Sequence, residues 1–182
     1  RPGYKVHPTH TSPEYWPITF VEPLASNKQA IGLDIAFESN RYSSIKKARD
    51  SGEALLTAPI ILVQDDKQTP GFLFYTPFYK DGLKPKSIEE RRRLIKGVTY
   101  APFIMEKLME GTLAETNKYV NIKIWDGTDL LFDDHLSDQA IEVDESPLFS
   151  KKVETTLYGR TWIFSIQSNI SFRQNTTLNQ SS

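Results

Sequence analysis

The chain contains no cysteine, two methionines and three histidines. Without cysteine there is no thiolate nucleophile and no Cys-ligated zinc or iron–sulfur centre. No disulfide staples the fold, and none is required: a chain of 182 residues buries about 70% of its unfolded surface on folding. The lack of cysteine says nothing about compartment, because many exported proteins lack it too. Long hydrophobic runs are also missing. The longest, Ala54 to Val63, is interrupted by Thr57 and Pro59 and falls short of the roughly 18 apolar residues that span a bilayer. No signal-peptide pattern is present, so any membrane anchor is expected outside this stretch. Charge of neither sign dominates: 22 basic and 23 acidic residues leave a formal net charge of −1, which gives no field to attract nucleic acid. The one basic run, Arg91-Arg92-Arg93, reads as a solvated helix face beside Glu89 and Glu90.

Catalytic signatures are equally scarce. There is no Walker loop, no Gly-x-Ser-x-Gly elbow and no His-Glu-x-x-His. A free-standing hydrolase would need a nucleophile–base pair, and no motif supplies one. His7 and His10 lie close together in a Pro-rich lead-in, where a metal site would still need further ligands. Asp129, Asp133, Asp134, Asp138, Glu142, Asp144 and Glu145 form an acidic region without the spacing of a helix–loop–helix calcium site, and read as solvated loop. No cofactor is implied.

What the chain does have is local pattern. Residues 1–16 read as an irregular lead-in. Ile18 to Val21 and Ile31 to Phe37 read as strands. Ser39 and Asn40 are N-cap types, Tyr42, Ile45 and Ala48/Arg49 follow at helical spacing, and Gly52 is a stop, which predicts a helix over about 41–51. Leu55 to Gln64 is an expected strand kinked at Pro59, Asp65 to Gly71 a turn cluster, and Phe72 to Tyr79 a strand that Pro77 places at an edge or bulge. Ser87-Ile88-Glu89-Glu90 fits a capping box. A strand over 97–102 and a helix over about 102–114 follow. Tyr119–Trp125, the turn Asp126-Gly127 and Leu130–Phe132 read as a hairpin, 133–150 as acidic and irregular, Lys152–Tyr158 and Thr161–Gln167 as two strands, and the stretch from Asn169 as a frayed polar tail. The order strand–helix–strand–strand occurs twice, with a break near residues 82–97. That suits α+β, with small antiparallel sheets and helices on one face.

Asp34 sits between Leu33 and Ile35 at the start of an apparent core strand. An unpaired buried carboxylate costs several kcal/mol, so a paired or ligand-facing role is open, and so is plain alternation toward water. Thr57 and Gln64 interrupt an apolar run and either line a pocket or sit on the outer strand face. Phe72, Phe74, Tyr75 and Phe78 supply either pocket walls or ordinary core.

These residues resemble a known family. Phe20-Val21-Glu22-Pro23, Gly32-Leu33-Asp34, Arg41, Ala48-Arg49-Asp50-Ser51-Gly52, Leu56-Thr57-Ala58-Pro59-Ile60-x-Leu62-Val63-Gln64, Gly71-Phe72-Leu73-x-Tyr75-x-Pro77-x-Tyr79 and Lys96-Gly97-Val98 follow the pattern of CHASE domains in order, within about residues 16–165. The resemblance implies an extracytoplasmic sensor module lying between two membrane helices of histidine kinases, nucleotide cyclases, diguanylate cyclases or phosphodiesterases. It implies a helical stalk followed by two tandem PAS-like sub-domains. In plant members of the family the ligand is a cytokinin bound in the membrane-distal sub-domain. There an aspartate at the place of Asp34 pairs with the adenine ring. The stretches matching Leu56-Thr57 and Gly71 to Thr76 border that pocket. The stalk, both anchors and any output domain fall outside this chain, and the bulk of Phe72, Phe74 and Tyr75 alters the pocket's shape.

The expectations are therefore as follows. Residues 1–96 form a membrane-distal PAS-like sub-domain, 97–168 a membrane-proximal one and 169–182 a polar tail. The chain is a non-catalytic sensor portion, periplasmic or otherwise extracytoplasmic, that dimerises through the stalk. Asp34, Leu56, Thr57, Gln64, Gly71, Phe72, Phe74 and Thr76 contact a small molecule. The competing expectation is a ligand-free spacer, or a docking module for a periplasmic protein.

Overall fold

The computed structural model describes residues 4–61, 69–113, 119–136 and 143–179. Its elements in chain order are α1 (Leu24–Asn27), α2 (Ser39–Ser51), β1 (Leu55–Leu56), β2 (Ile60–Ile61), β3 (Pro70–Tyr79), α3 (Ile88–Leu94), β4 (Ile95–Ile104), α4 (Met105–Leu113), β5 (Val120–Asp126), β6 (Asp129–Asp133), β7 (Ser150–Leu157), β8 (Arg160–Ser168) and α5 (Ile170–Asn179). One sheet has the order β1-β3-β2 with β4 also paired to β3; the other has the order β6-β5-β8-β7. The expected α+β class holds: two antiparallel sheets with flanking helices, as two tandem PAS-like sub-domains would give.

The chain packs as two compact units that are not successive halves. One comprises Arg1–Leu55 and Tyr75–Thr99; the other comprises Leu56–Phe74 and Tyr100–Ser182. In the first unit, α2 buries Ser44, Ile45, Ala48 and Arg49, which fall on one face at helical spacing. Glu38 caps it, one residue ahead of the Ser39 and Asn40 read from the sequence, by accepting from the N–H groups of Asn40 and Arg41. Gly52 ends the helix in the left-handed region (φ +77°), where a Cβ would come within 2.9 Å of Arg91 Nε. Ser87 Oγ accepts from Glu90 N (3.2 Å) at the start of α3, as the capping-box pattern predicts.

In the second unit the core is Leu56, Phe72, Met105, Met109, Ile122, Ile124, Leu131 and Trp162, with Leu157, Phe164 and Ile166 packed against it. The ring of Phe72 meets Trp162 edge-on at 5.2 Å and stacks on Phe103 at 5.3 Å. Burying side chains of this size contributes about 1.5–3 kcal/mol each, which makes this cluster the main stabilising feature of the unit.

Several sequence-based expectations do not hold. Ile18–Val21 and Ile31–Phe37 are not strands. Ile18 exchanges backbone hydrogen bonds with Gly32 and Leu33, isolated bridges join Leu33 to His7 and Asp34 to Pro17, and Ile35–Phe37 is a 3₁₀ turn. The Asp34 side chain takes the Ala36 N–H and turns the chain out of extended geometry, and His7, Trp16 and Ile18 take backbone groups of residues 32–35. Over its described part, Leu55 to Ile61, the expected strand is interrupted because Thr57 turns both its N–H and its hydroxyl to β3 and Pro59 has no N–H; its remainder to Gln64 lies outside the described residues. Phe103 lies in β4, not in the following helix. The stretch after Asn169 is helical and capped, not frayed: Asn169 is fully buried and its Oδ1 accepts from Phe172 N (3.0 Å).

Three members of the acidic region are built in rather than solvated, while Asp129 and Glu145 are exposed as expected. Asp133 pairs with Lys123 at 2.8 Å, Asp144 with Arg173 at 2.8 Å, and buried Asp134 accepts from Ile122 N at 2.6 Å. Asp138 and Glu142 lie outside the described residues.

Candidate ligand-sensing site

Asp34 organises the first unit. The segment Gly32–Ile35 is stitched on one side to His7 and on the other to Trp16 and Ile18. His7 N donates to Gly32 O, and Asp34 N donates to His7 O. On the other flank Gly32 N donates to Ile18 O, Ile18 N to Leu33 O and Ile35 N to Trp16 O. Gly32 permits this approach: its φ is +85° and a Cβ would collide with the Lys5 carbonyl. The lead-in is therefore hydrogen-bonded structure, not loose chain.

The Asp34 side chain is fully buried. Its Oδ1 accepts from Trp16 N at 2.9 Å and from Ala36 N at 2.8 Å. Its Oδ2 lies 3.1 Å from His10 Nε2, at ion-pair distance but off the line of a hydrogen bond, so neither atom has an aligned partner. His10 is held from its other side: Ser12 N donates to Nδ1 at 3.1 Å, which leaves the ring proton of the neutral imidazole on Nε2, facing Asp34. Tyr15 stacks on the imidazole at 4.3 Å and its hydroxyl donates to the His10 carbonyl. Of the three groups around the carboxylate, His10 alone is held by a misaligned contact, on a side chain that is 13% exposed.

A second polar group in the same unit surrounds Arg49. Its Nη1 reaches Glu14 Oε1 at 3.1 Å and its Nε donates to Asp50 Oδ1 at 2.8 Å. Arg92 closes a two-point pair on Asp50 at 3.0 and 2.6 Å. Arg91 donates to the Asp50 carbonyl and Tyr79 to the Arg49 carbonyl. The Arg91–Arg93 run is thus not simply a solvated face, since two of its members tie α3 to the end of α2. The hydrogen bonds from Arg92, against the opposing effect of burial and with help from Arg49, hold the Asp50 carboxyl down at about 2. Burial pushes the Glu14 carboxyl up, but the Trp16 and Arg49 hydrogen bonds outweigh it and leave it lowered.

The other expected site residues lie elsewhere. Leu56 and Phe72 belong to the core of the second unit. Thr57 is buried in that unit, its N–H donating to Leu73 O and its Oγ1 accepting from Leu73 N at 3.0 Å. Gly71 is buried opposite Ile60 in the β2–β3 ladder. Phe74 packs edge-on against Tyr158 at 4.7 Å. Thr76 is exposed in the first unit, its carbonyl accepting from Thr99 Oγ1. Gln64 lies outside the described residues. The structure therefore gathers Leu56, Thr57, Gly71, Phe72 and Phe74 within the second unit, while Asp34 stands with His10 and Tyr15 in the first. Sequence reasoning missed His10 and Trp16 as partners of Asp34, because no local spacing links groups 18 and 24 residues apart. Among the described residues no cluster of three or more potential metal ligands occurs. Among them, too, no helix is long and apolar enough to cross a membrane.

A family model for the CHASE domain matches residues 1–134. The chain belongs to the CHASE domain family. It is also similar to the hybrid signal transduction histidine kinase A of Dictyostelium discoideum, at 27% identity over 112 residues, 58% of this chain and 5% of that protein. The chain spans only a small share of that curated relative. CHASE domains are a family of sensor domains, and this chain is a sensor domain of that family.

Proposed function

We propose that this CHASE domain is the extracytoplasmic ligand-sensing portion of a transmembrane receptor with a histidine-kinase or cyclase output, and is itself non-catalytic. The family match over residues 1–134 is the observation that carries this reading. The ligand is a small molecule bearing an N–H donor, and it acts on the first unit by taking the place of His10 at Asp34 Oδ2. Two features support that placement: the acceptor is buried without an aligned donor, and the group facing it sits on a lead-in segment and is partly exposed. Leu56, Thr57 and Phe72 then serve the second unit as framework, and Tyr15 offers the guest an aromatic face. A ligand at 100 times its Kd raises stability by about 2.7 kcal/mol. A thermal-shift screen of a metabolite library that includes adenine derivatives and amino acids tests this. A compound that raises the melting temperature of the parent and of His10→Ala, but not of Asp34→Ala, is the expected result. A shift that survives Asp34→Ala places the ligand elsewhere.

A second reading has one observation in its favour: the Asp34 Oδ1 and the Thr57 hydroxyl are already satisfied within the fold. On that reading the domain is a ligand-free spacer or docks another extracytoplasmic protein. Native mass spectrometry of freshly purified protein separates the two, since retained small-molecule mass supports the sensor and its consistent absence supports the spacer.

A further inference from the structure

Strand β7 is the outer strand of its sheet, paired on one side to β8 in the order β6-β5-β8-β7. Its residues are exposed from Ser150 to Glu154, and again at Thr156. An eight-residue strand with an open edge is a template for another strand unless its sequence opposes pairing. The register shows which backbone groups are on offer. Leu157 pairs with Arg160 across the two-residue turn Tyr158-Gly159, whose φ values of 44° and 80° are those of a type I′ hairpin. Leu157 therefore bonds inward to β8, as do Thr155, Val153 and Lys151, and the Phe149 carbonyl, accepting from Ser168 N, continues the same alternation. The peptide groups of Ser150, Lys152, Glu154 and Thr156 point away from the sheet.

We infer that β7 pairs with β7 of a second copy of this chain, antiparallel about a two-fold axis at Val153, to make one continuous eight-stranded sheet. The sequence Ser-Lys-Lys-Val-Glu-Thr-Thr of residues 150–156 is complementary to itself in that register. Lys152 faces the partner's Glu154, and Glu154 faces the partner's Lys152, on the same side of the sheet. Ser150 faces the partner's Thr156, and Lys151 the partner's Thr155. Val153, 36% exposed opposite Phe164, which packs against the core, meets its own copy at the axis and continues the apolar face. Lysines on an edge ordinarily deter pairing. Here a register exists in which each Lys152 faces a Glu154 and the pair forms twice by symmetry, which selects a second copy over an unrelated strand. The inference does not depend on the chain's having a small-molecule ligand.

Sedimentation of the 182-residue chain over a concentration series into the millimolar range should show reversible dimerisation. Lys152→Glu places two carboxylates opposite each other at two positions and should weaken association by about tenfold. Glu154→Lys should do the same, and the combined K152E/E154K protein should recover it. Both side chains are exposed, so circular dichroism should show each variant folded. The cysteine-free background allows a direct geometric test. Val153→Cys stands at a non-hydrogen-bonded pair, about 4.5 Å between Cα atoms, and should oxidise to a covalent dimer. Lys151→Cys, about 14 Å from its own copy in this register, should not. A monomer at every concentration overturns the inference, as does a dimer indifferent to both single reversals or not restored by the double one.

Discussion

Replacing Asp34 by alanine separates a framework role from a purely ligand-facing one. Oδ1 accepts two backbone N–H groups, from Trp16 at 2.9 Å and Ala36 at 2.8 Å. A hydrogen bond to a charged acceptor contributes about 1.5–3 kcal/mol, and its loss strands a buried donor. Ala36 is buried and Trp16 partly so, so the combined cost should be about 3–4 kcal/mol. At about 2–4 °C per kcal/mol for a chain of this size, the first unit should melt about 10 °C earlier. Urea unfolding followed by tryptophan fluorescence is suitable because Trp16 lies at the lost contact. Asp34→Asn, which keeps an acceptor but not the charge, should fall between parent and alanine. His10→Ala, which removes only the misaligned contact, should cost far less than Asp34→Ala. A midpoint for Asp34→Ala indistinguishable from the parent would refute the bridging argument and leave Asp34 free to serve a ligand alone.

Acid should weaken the Arg49–Asp50–Arg92 group in a defined direction. Asp50 falls from an ordinary 3.8 to about 2 in the fold, so its contribution is full above pH 3.8 and is lost as pH drops toward 2. Solvent screening through the exposed Arg92 limits that contribution to about 1–2 kcal/mol. Urea midpoints between pH 5 and 2 should therefore fall less steeply in Asp50→Asn than in the parent. Thr57→Val keeps the side chain's shape but removes the acceptor for Leu73 N, and should cost about 1–3 kcal/mol; a neutral result would release Thr57 from its framework role. Burial raises the Asp134 carboxyl, so ionising it at neutral pH opposes folding, and stability should recover as pH falls through the raised value. Asp134→Asn removes that charge and supplies a donor for the unpartnered Asn121 Oδ1. It should leave stability at pH 7 equal or up to about 1 kcal/mol higher by denaturant titration.

The elements that sequence predicted well are those whose cause is local. Gly52 stops α2 because only a residue without Cβ accepts φ +77° there, and Ser87 caps α3 through a bond three residues long. The two hairpins form where the sequence places them, each with its turn one residue away: Gly127-Thr128 turns the chain in place of Asp126-Gly127, and Tyr158-Gly159 in place of Gly159-Arg160. The readings that failed are those in which a distant partner competes with local pattern. Residues 31–37 alternate like a strand, yet the Asp34 side chain and the distant His7, Trp16 and Ile18 take their backbone groups. The polar stretch from Asn169 looks like a tail, yet its first residue is buried, capping a helix and bonding to Tyr119 O.

By itself, then, the sequence determined the α+β class, the main helices and hairpins, and the order of motifs that marks the family, because these follow from steric and hydrogen-bonding rules acting over a few residues. Tertiary structure alone decided that His10 stands against Asp34, that Thr57 and Phe72 are framework of the second unit, and that Arg91 and Arg92 hold α2. Each of these joins residues 16 to 90 positions apart. Burial and charge pairing at that range depend on how the chain folds back, which no local pattern encodes.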